Sequence, residues 1–132
     1  MEGAQKSKQV VLVDDDLDLL KLMTFFLQAK GLETHGFSTG KDALEYLLKE
    51  ENIAQCALLI LDRILPDMDG LEILHLIDQK HAKRCPVVIL SVLSSDKDVL
   101  SGFTSGAVDY ITKPFNLEIF YEKVHRLIAS SI

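Results

Sequence analysis

Leu58-Leu59-Ile60-Leu61-Asp62, continued by Arg63-Ile64-Leu65-Pro66-Asp67-Met68-Asp69-Gly70, is the stretch that decides the fold. Four apolar residues end abruptly on a carboxylate. A short apolar run closed by turn residues marks a strand covered on both faces, and Pro-Asp-Met-Asp-Gly supplies the turn. Asp62 is therefore expected at the carboxyl end of a central strand, the edge at which open parallel sheets gather ligands and chemistry. Taken alone, Asp62 serves equally well as a loop cap.

The flanking sequence repeats the pattern. Gln9 to Val13 is a β-branched apolar run that stops at Asp14-Asp15-Asp16. Leu17, Leu19, Leu20, Met23, Phe26 and Leu27 then recur at helical spacing as far as Lys30-Gly31, where glycine suits a helix C-terminus. Glu33 to Phe37 reads as a short second strand. Ser38 and Thr39 offer hydroxyls to cap a helix from Gly40 to about Glu50. The third strand is Ala57 to Leu61, and Leu71, Leu74 and Ile77 mark a third helix. Pro86 to Leu90 is a fourth strand ending at Ser91, Asp96 to about Ser105 a weaker helix, and Ala107 to Ile111 a fifth strand. Lys113-Pro114-Phe115 leads into a last helix from near Asn116, with Leu117, Phe120, Val124 and Leu127 as its buried stripe. Five strands alternating with five helices predict an α/β fold with a parallel sheet and right-handed crossovers. Residues 1–8 read as a polar tail and residues 9–130 as one domain. Any output domain is expected to lie outside this chain.

Composition narrows the function classes. The 132 residues carry a formal net charge of −6, which argues against direct nucleic-acid binding through a basic footprint. No run approaches the length of a membrane span, and the first residues lack a signal-peptide core, so a cytoplasmic protein is expected. Cys56 and Cys85 have neither CxxC spacing nor a neighbouring metal-pattern His.

The chemistry collects at one edge. Asp14 and Asp15 close the first strand, Asp62 the third and Ser91 the fourth, and Lys113 lies two residues past the fifth. A parallel sheet brings these ends to a single crevice. Three crowded carboxylates require either raised pKa values or a bound cation. An oxygen-ligand site with open positions suits Mg²⁺. Asp16 is the residue best placed to cap the first helix, so capping does not use up all three aspartates. A carboxylate beside a metal can take a phosphoryl group as an acyl phosphate, with Lys113 as a point charge and Ser91 as a hydrogen-bond donor to it.

These marks, Val13-Asp14-Asp15, Asp62 with Pro66 and Met68-Asp69-Gly70 beyond it, Ser91, and Lys113-Pro114-Phe115, resemble the response-regulator receiver domain of two-component signalling (CheY-like) from about Gln9 to Ile128. The resemblance implies a flavodoxin-like doubly wound sheet of order 2-1-3-4-5 flanked by five helices. It also implies a phosphorelay role in which Asp62 accepts a phosphoryl group from a partner sensor histidine kinase or phosphotransfer protein. Asp15, Asp62 and the backbone carbonyl of Ile64 would hold Mg²⁺, with Asp14 acting mainly through water. Ser91 and Lys113 would bind the phosphoryl group. Ser91 and Tyr110 would act as the switch that remodels the surface of the fourth helix, fifth strand and fifth helix, where an effector, an output domain or a second copy would dock. Self-phosphorylation and self-dephosphorylation would be its only catalysis. The Lys113–Pro114 bond is typically cis in the family.

Departures from the family pattern are local. Val92 stands where Ala or Gly is usual and is expected to narrow the approach to the phosphoryl group. Ile64 and Leu93 are apolar and cannot orient an attacking water, which predicts a long-lived phosphoryl state. Ile119 should point outward and, with Phe103 and Val99, form an apolar patch. Cys56 and Cys85 precede neighbouring strands and are expected near each other, opposite the site. Two other readings suit the site less well: a receiver-like binding scaffold that is never phosphorylated, and a haloacid-dehalogenase-like phosphatase, whose DxD occurs in Asp14-Asp15-Asp16 but whose following Thr or Val is replaced by Asp18. Gly36 to Lys41 falls one residue short of a P-loop, and helix capping explains it better.

Overall fold

β-Branched runs become strands and amphipathic runs become helices in the order the sequence sets out. The computed structural model describes residues 9–130, so the stretch read as a tail lies outside the described residues. The elements are β1 (Gln9–Val13), α1 (Leu17–Ala29), β2 (Glu33–Phe37), α2 (Gly40–Leu47), α3 (Glu50–Gln55), β3 (Cys56–Leu61), α4 (Gly70–Lys80), β4 (Val87–Ser91), α5 (Asp96–Thr104), β5 (Asp109–Thr112) and α6 (Leu117–Ser130). The five strands form one sheet in the order β2-β1-β3-β4-β5, and each neighbouring pair is parallel.

Helix number is the one correction. Six helices are present among the described residues, not five, because the segment after α2 forms the short additional helix α3. Lys49 adopts an extended backbone between the two helices, and the Asn52 side chain donates to the Tyr46 carbonyl at the end of α2. The sequence reading ends its second helix near Glu50 and assigns no element to 51–56, because this six-residue helix buries only Ile53 and shows no apolar period. The last two helices counted from sequence are thus α5 and α6.

Helix boundaries follow their caps. Asp16 accepts from the Leu19 N–H, Thr39 from Asp42, and Ser95 and Asp98 form a reciprocal capping box; such caps contribute about 1 kcal/mol each. Gly31, just past α1, has φ of 87°, a left-handed conformation that costs a side-chain-bearing residue more.

The sheet divides the core in two. Val11, Val13, Leu59, Leu61 and Val87 face α2, α3 and α4. Val10, Leu12, Leu58, Ile60, Val88 and Leu90 face α1 and α6. On α6 the buried positions are Phe120, Val124 and Ile128, four residues apart on one helical face, while Leu117 and Leu127 of the expected stripe are half-buried. Each such full burial is worth about 1.5–3 kcal/mol before entropy is charged. Among the described residues no helix is long and apolar enough to cross a membrane.

Candidate functional site

Strand register places the acids side by side. Val13 pairs with Leu61, so the next residues, Asp14 and Asp62, leave the sheet together. The ladder continues through both: the Asp14 N–H donates to the Phe37 carbonyl at 3.0 Å and the Asp62 N–H to the Val13 carbonyl at 2.9 Å. Both side chains are buried, whereas Asp15 is exposed. Asp14, Asp15 and Asp62 each present a carboxylate oxygen within 4.8 Å of the others.

Lys113 closes this cluster. Its Nζ lies 2.7 Å from Asp14 Oδ2 and 2.8 Å from Asp62 Oδ2. The Lys113 N–H donates to the Ser91 carbonyl at 2.9 Å, and the Lys113–Pro114 peptide bond is cis. Burial pushes the Asp14 carboxyl above its ordinary value, and the nearby Lys113 ammonium only partly offsets this. Burial depresses Lys113, but the carboxylates of Asp14 and Asp62 more than reverse it and raise its pKa.

The remaining contacts orient the carboxylates. Asp62 Oδ1 accepts from the Ile64 N–H at 3.0 Å, and Asp14 Oδ1 accepts from the Asp16 N–H at 2.9 Å. Asp14 Oδ2 is buried and, apart from the Lys113 charge, has no hydrogen bond. That spare acceptor capacity, beside a solvent-facing Asp15, fits a hard divalent cation. Gly70 lets the loop close: its N–H donates to the Arg63 carbonyl at 2.8 Å, and a Cβ there would collide with the Asp62 backbone carbonyl.

A second chain of contacts starts at Ser91, which is fully buried at the end of β4. Its Oγ accepts from the Leu93 N–H at 3.3 Å. The Leu93 carbonyl in turn accepts from the Tyr110 hydroxyl at 2.5 Å. The Tyr110 ring packs on Gly102 of α5, where an added Cβ would come within 2.9 Å of it. Leu93 thus connects the hydroxyl of β4 to the aromatic residue of β5.

A family model described as the response regulator receiver domain matches residues 10–125. The chain belongs to that family.

Receiver-domain relatives agree with the match. The chain is 39% identical over 110 residues to the regulatory protein VanRc of Enterococcus gallinarum, an alignment covering 83% of this chain and 45% of that one. It is 34% identical over 110 residues to the transcriptional regulatory protein SrrA of Staphylococcus aureus, covering 83% and 43%. The chain therefore spans less than half the length of these curated relatives. Among solved structures, it resembles the BeF3-activated receiver domain of DrrB, with 36% identity, a TM-score of 0.80 and coverage of 93% and 98%. It also resembles a two-component response regulator from Clostridium difficile, with 28% identity, a TM-score of 0.83 and coverage of 93% and 97%.

Within the receiver fold, the residues singled out from sequence fall into two groups. Asp14 and Asp62 meet directly at Lys113, and Asp15 brings a carboxylate oxygen within 4.8 Å of theirs. Ser91 and Tyr110 join through Leu93, and the backbone of Ile64 holds Asp62. Val92 is exposed and lines a cavity of about 390 Å³ with Leu19, Leu22, Lys113 and Phe115. Ile119 does point outward and Phe103 is exposed with it, whereas Val99 is half-buried. The P-loop-like segment is a helix cap, since the Asp67 carboxylate takes the N–H groups of both Gly40 and Lys41 at 2.8 Å.

Two receiver residues escaped the sequence reading. Asp67 ties the acceptor loop to the start of α2. Arg63, next to Asp62, donates through Nη1 to the Asp98 carbonyl at 2.9 Å and to Ser101 Oγ at 3.0 Å, joining that loop to α5. Both partners lie far off in sequence, and nothing local in the sequence signals them.

Proposed function

We propose that Asp62 is the phosphoacceptor of a phosphorelay, taking its phosphoryl group from a phosphohistidine on a sensor histidine kinase or phosphotransfer protein. The observation that carries this reading is the Lys113 ammonium lying between the buried carboxylates of Asp14 and Asp62 at the carboxyl edge of the sheet. In the transfer, an Asp62 oxygen bonds to phosphorus as the phosphorus–nitrogen bond of the donor breaks. The Ile64 N–H and Lys113 engage different Asp62 oxygens, Oδ1 and Oδ2, and fix the carboxylate's orientation. Asp15, Asp62 and the Ile64 carbonyl, with Asp14 through water, are the ligands proposed for Mg²⁺, which supplies positive charge to the phosphoryl oxygens when bound. Lys113 then shifts from carboxylate to phosphoryl oxygen, and Ser91 exchanges the Leu93 N–H for a bond donated to that group.

Moving Ser91 must disturb Leu93, and Leu93 holds Tyr110. A local charge event thereby biases the surface made by α5, β5 and α6. Leu100, Phe103 and Ile119 expose apolar area there, which supports docking of an effector, an output domain or a second copy. The activity proposed is self-phosphorylation and self-dephosphorylation only, in the cytoplasm.

Intact mass after treatment with acetyl phosphate and Mg²⁺ tests the assignment. One phosphoryl group should appear on the wild type and none on Asp62→Ala. An equal gain by both proteins, or no gain by the wild type, overturns it.

A further inference from the structure

A bulge at the end of the sheet away from the acids brings two thiols together. Cys56 opens β3 and Cys85 lies two residues before β4. Gln9 pairs with Cys56, but Val10 pairs with Leu58, so Ala57 is an extra residue in the β3 strand. Strict alternation would put Cys56 on the face of Leu58 and Ile60. The bulge instead turns it to the opposite face, into the cluster that holds Leu59, Val87 and Cys85. The two sulfurs are 3.2 Å apart, and both cysteines are free and buried.

We propose that Cys56 and Cys85 form a redox site that closes to a reversible intramolecular disulfide when a hydroperoxide oxidises the protein. A disulfide needs its sulfurs about 2.05 Å apart, so closure requires a shift of roughly 1 Å. The surroundings allow it. Residues 81–86 have no regular secondary structure, and Cys56 sits at the irregularity in the ladder rather than in its rigid part.

The two thiols are not equivalent. The hydrogen bond shared with Cys56 lowers the Cys85 pKa against the raising effect of burial, and the charge of neighbouring Arg84 lowers it further, which favours its thiolate. Cys56 is raised by the same contact and by burial. Cys85 is thus the reactive member and Cys56 the resolving one. The Cys85 thiolate attacks one peroxide oxygen, the oxygen–oxygen bond breaks, and a sulfenic acid forms with release of water or an alcohol. Cys56 sulfur then attacks the Cys85 sulfur, and the hydroxyl leaves as water with the Cys56 proton. Two thiols lose two electrons and the hydroperoxide gains them. A dithiol reductant reverses the bond by exchange. The cysteines keep only 7% and 8% of their surface accessible, which disfavours reaction with a second protein.

The test uses the 132-residue protein with hydrogen peroxide, followed by denaturation, alkylation with N-ethylmaleimide and intact mass. The oxidised wild type should lose two hydrogens, about 2 Da, and take no alkyl group; after dithiothreitol it should take both. Cys56→Ser should accumulate a dimedone-reactive sulfenic acid at Cys85. Two alkylated thiols after peroxide, over-oxidation of one wild-type cysteine, or a disulfide-linked dimer overturns the proposal. None of these readouts depends on phosphorylation, so failure here leaves the Asp62 assignment untouched.

Discussion

Lys113 Nζ lies 2.8 Å from Asp62 Oδ2, joining the loop after β5 to the end of β3. Breaking this contact strands two buried carboxylates, Asp62 and Asp14. Lys113→Ala in EDTA should lower the unfolding free energy at pH 7 by about 2 kcal/mol. That is less than for a fully buried pair, because the ammonium keeps some water contact. The folded-state pKa of Lys113 is raised above 10.5, so its contribution is complete below 10.5 and fades as pH climbs through the raised value. Urea unfolding of wild type and Lys113→Ala should converge at strongly alkaline pH; a constant gap contradicts the linkage.

Asp14 responds in the opposite pH range. Its folded pKa lies above 3.8, so between 3.8 and that value the folded state holds the extra proton. Metal-free stability from this group therefore increases as pH falls through the raised value. A divalent cation needs the ionised carboxylate and must displace that proton. Mg²⁺ affinity, measured calorimetrically from pH 7 downward, should weaken as Asp14 takes up its proton. Asp14→Asn should bind more weakly at pH 7 and show a flatter pH profile. A wild-type pH profile no steeper than that of Asp14→Asn would sink this reading.

Gly70 is required by space rather than by backbone angle. A Cβ at this position meets the Asp62 carbonyl and Arg63 Cα, backbone atoms that cannot rotate away. Gly70→Ala should cost about 2–3 kcal/mol and displace Asp62, reducing phosphorylation by acetyl phosphate at least tenfold. Full phosphorylation of a Gly70→Ala protein would show that the loop relaxes freely.

Val92 is 58% exposed beside Lys113, so its effect should be kinetic. Val92→Ala should leave stability within about 0.5 kcal/mol and accelerate phosphotransfer or dephosphorylation by opening the approach to Asp62. Identical rates for both proteins would remove the steric argument.

Sequence by itself determined the strand order of events: which runs are strands, which residues end them, and that Asp14, Asp15, Asp62, Ser91 and Lys113 must share an edge. Those properties are local, since an apolar run ending in a carboxylate carries its own signal and parallel crossovers align the ends. The short helix α3 stayed hidden because its six residues bury only Ile53 and carry no apolar period.

Tertiary structure alone decided the rest. Arg63 reaches Asp98 and Ser101, Asp67 caps α2, and Leu93 links Ser91 to Tyr110. The sequence already suggested that Cys56 and Cys85 lie near each other, but only the bulge at Ala57 turns Cys56 onto the face of Cys85. Each is a contact between groups distant along the chain, set by register and loop path. A one-residue slip in register reverses which face a side chain occupies, and no periodicity in the sequence records that slip.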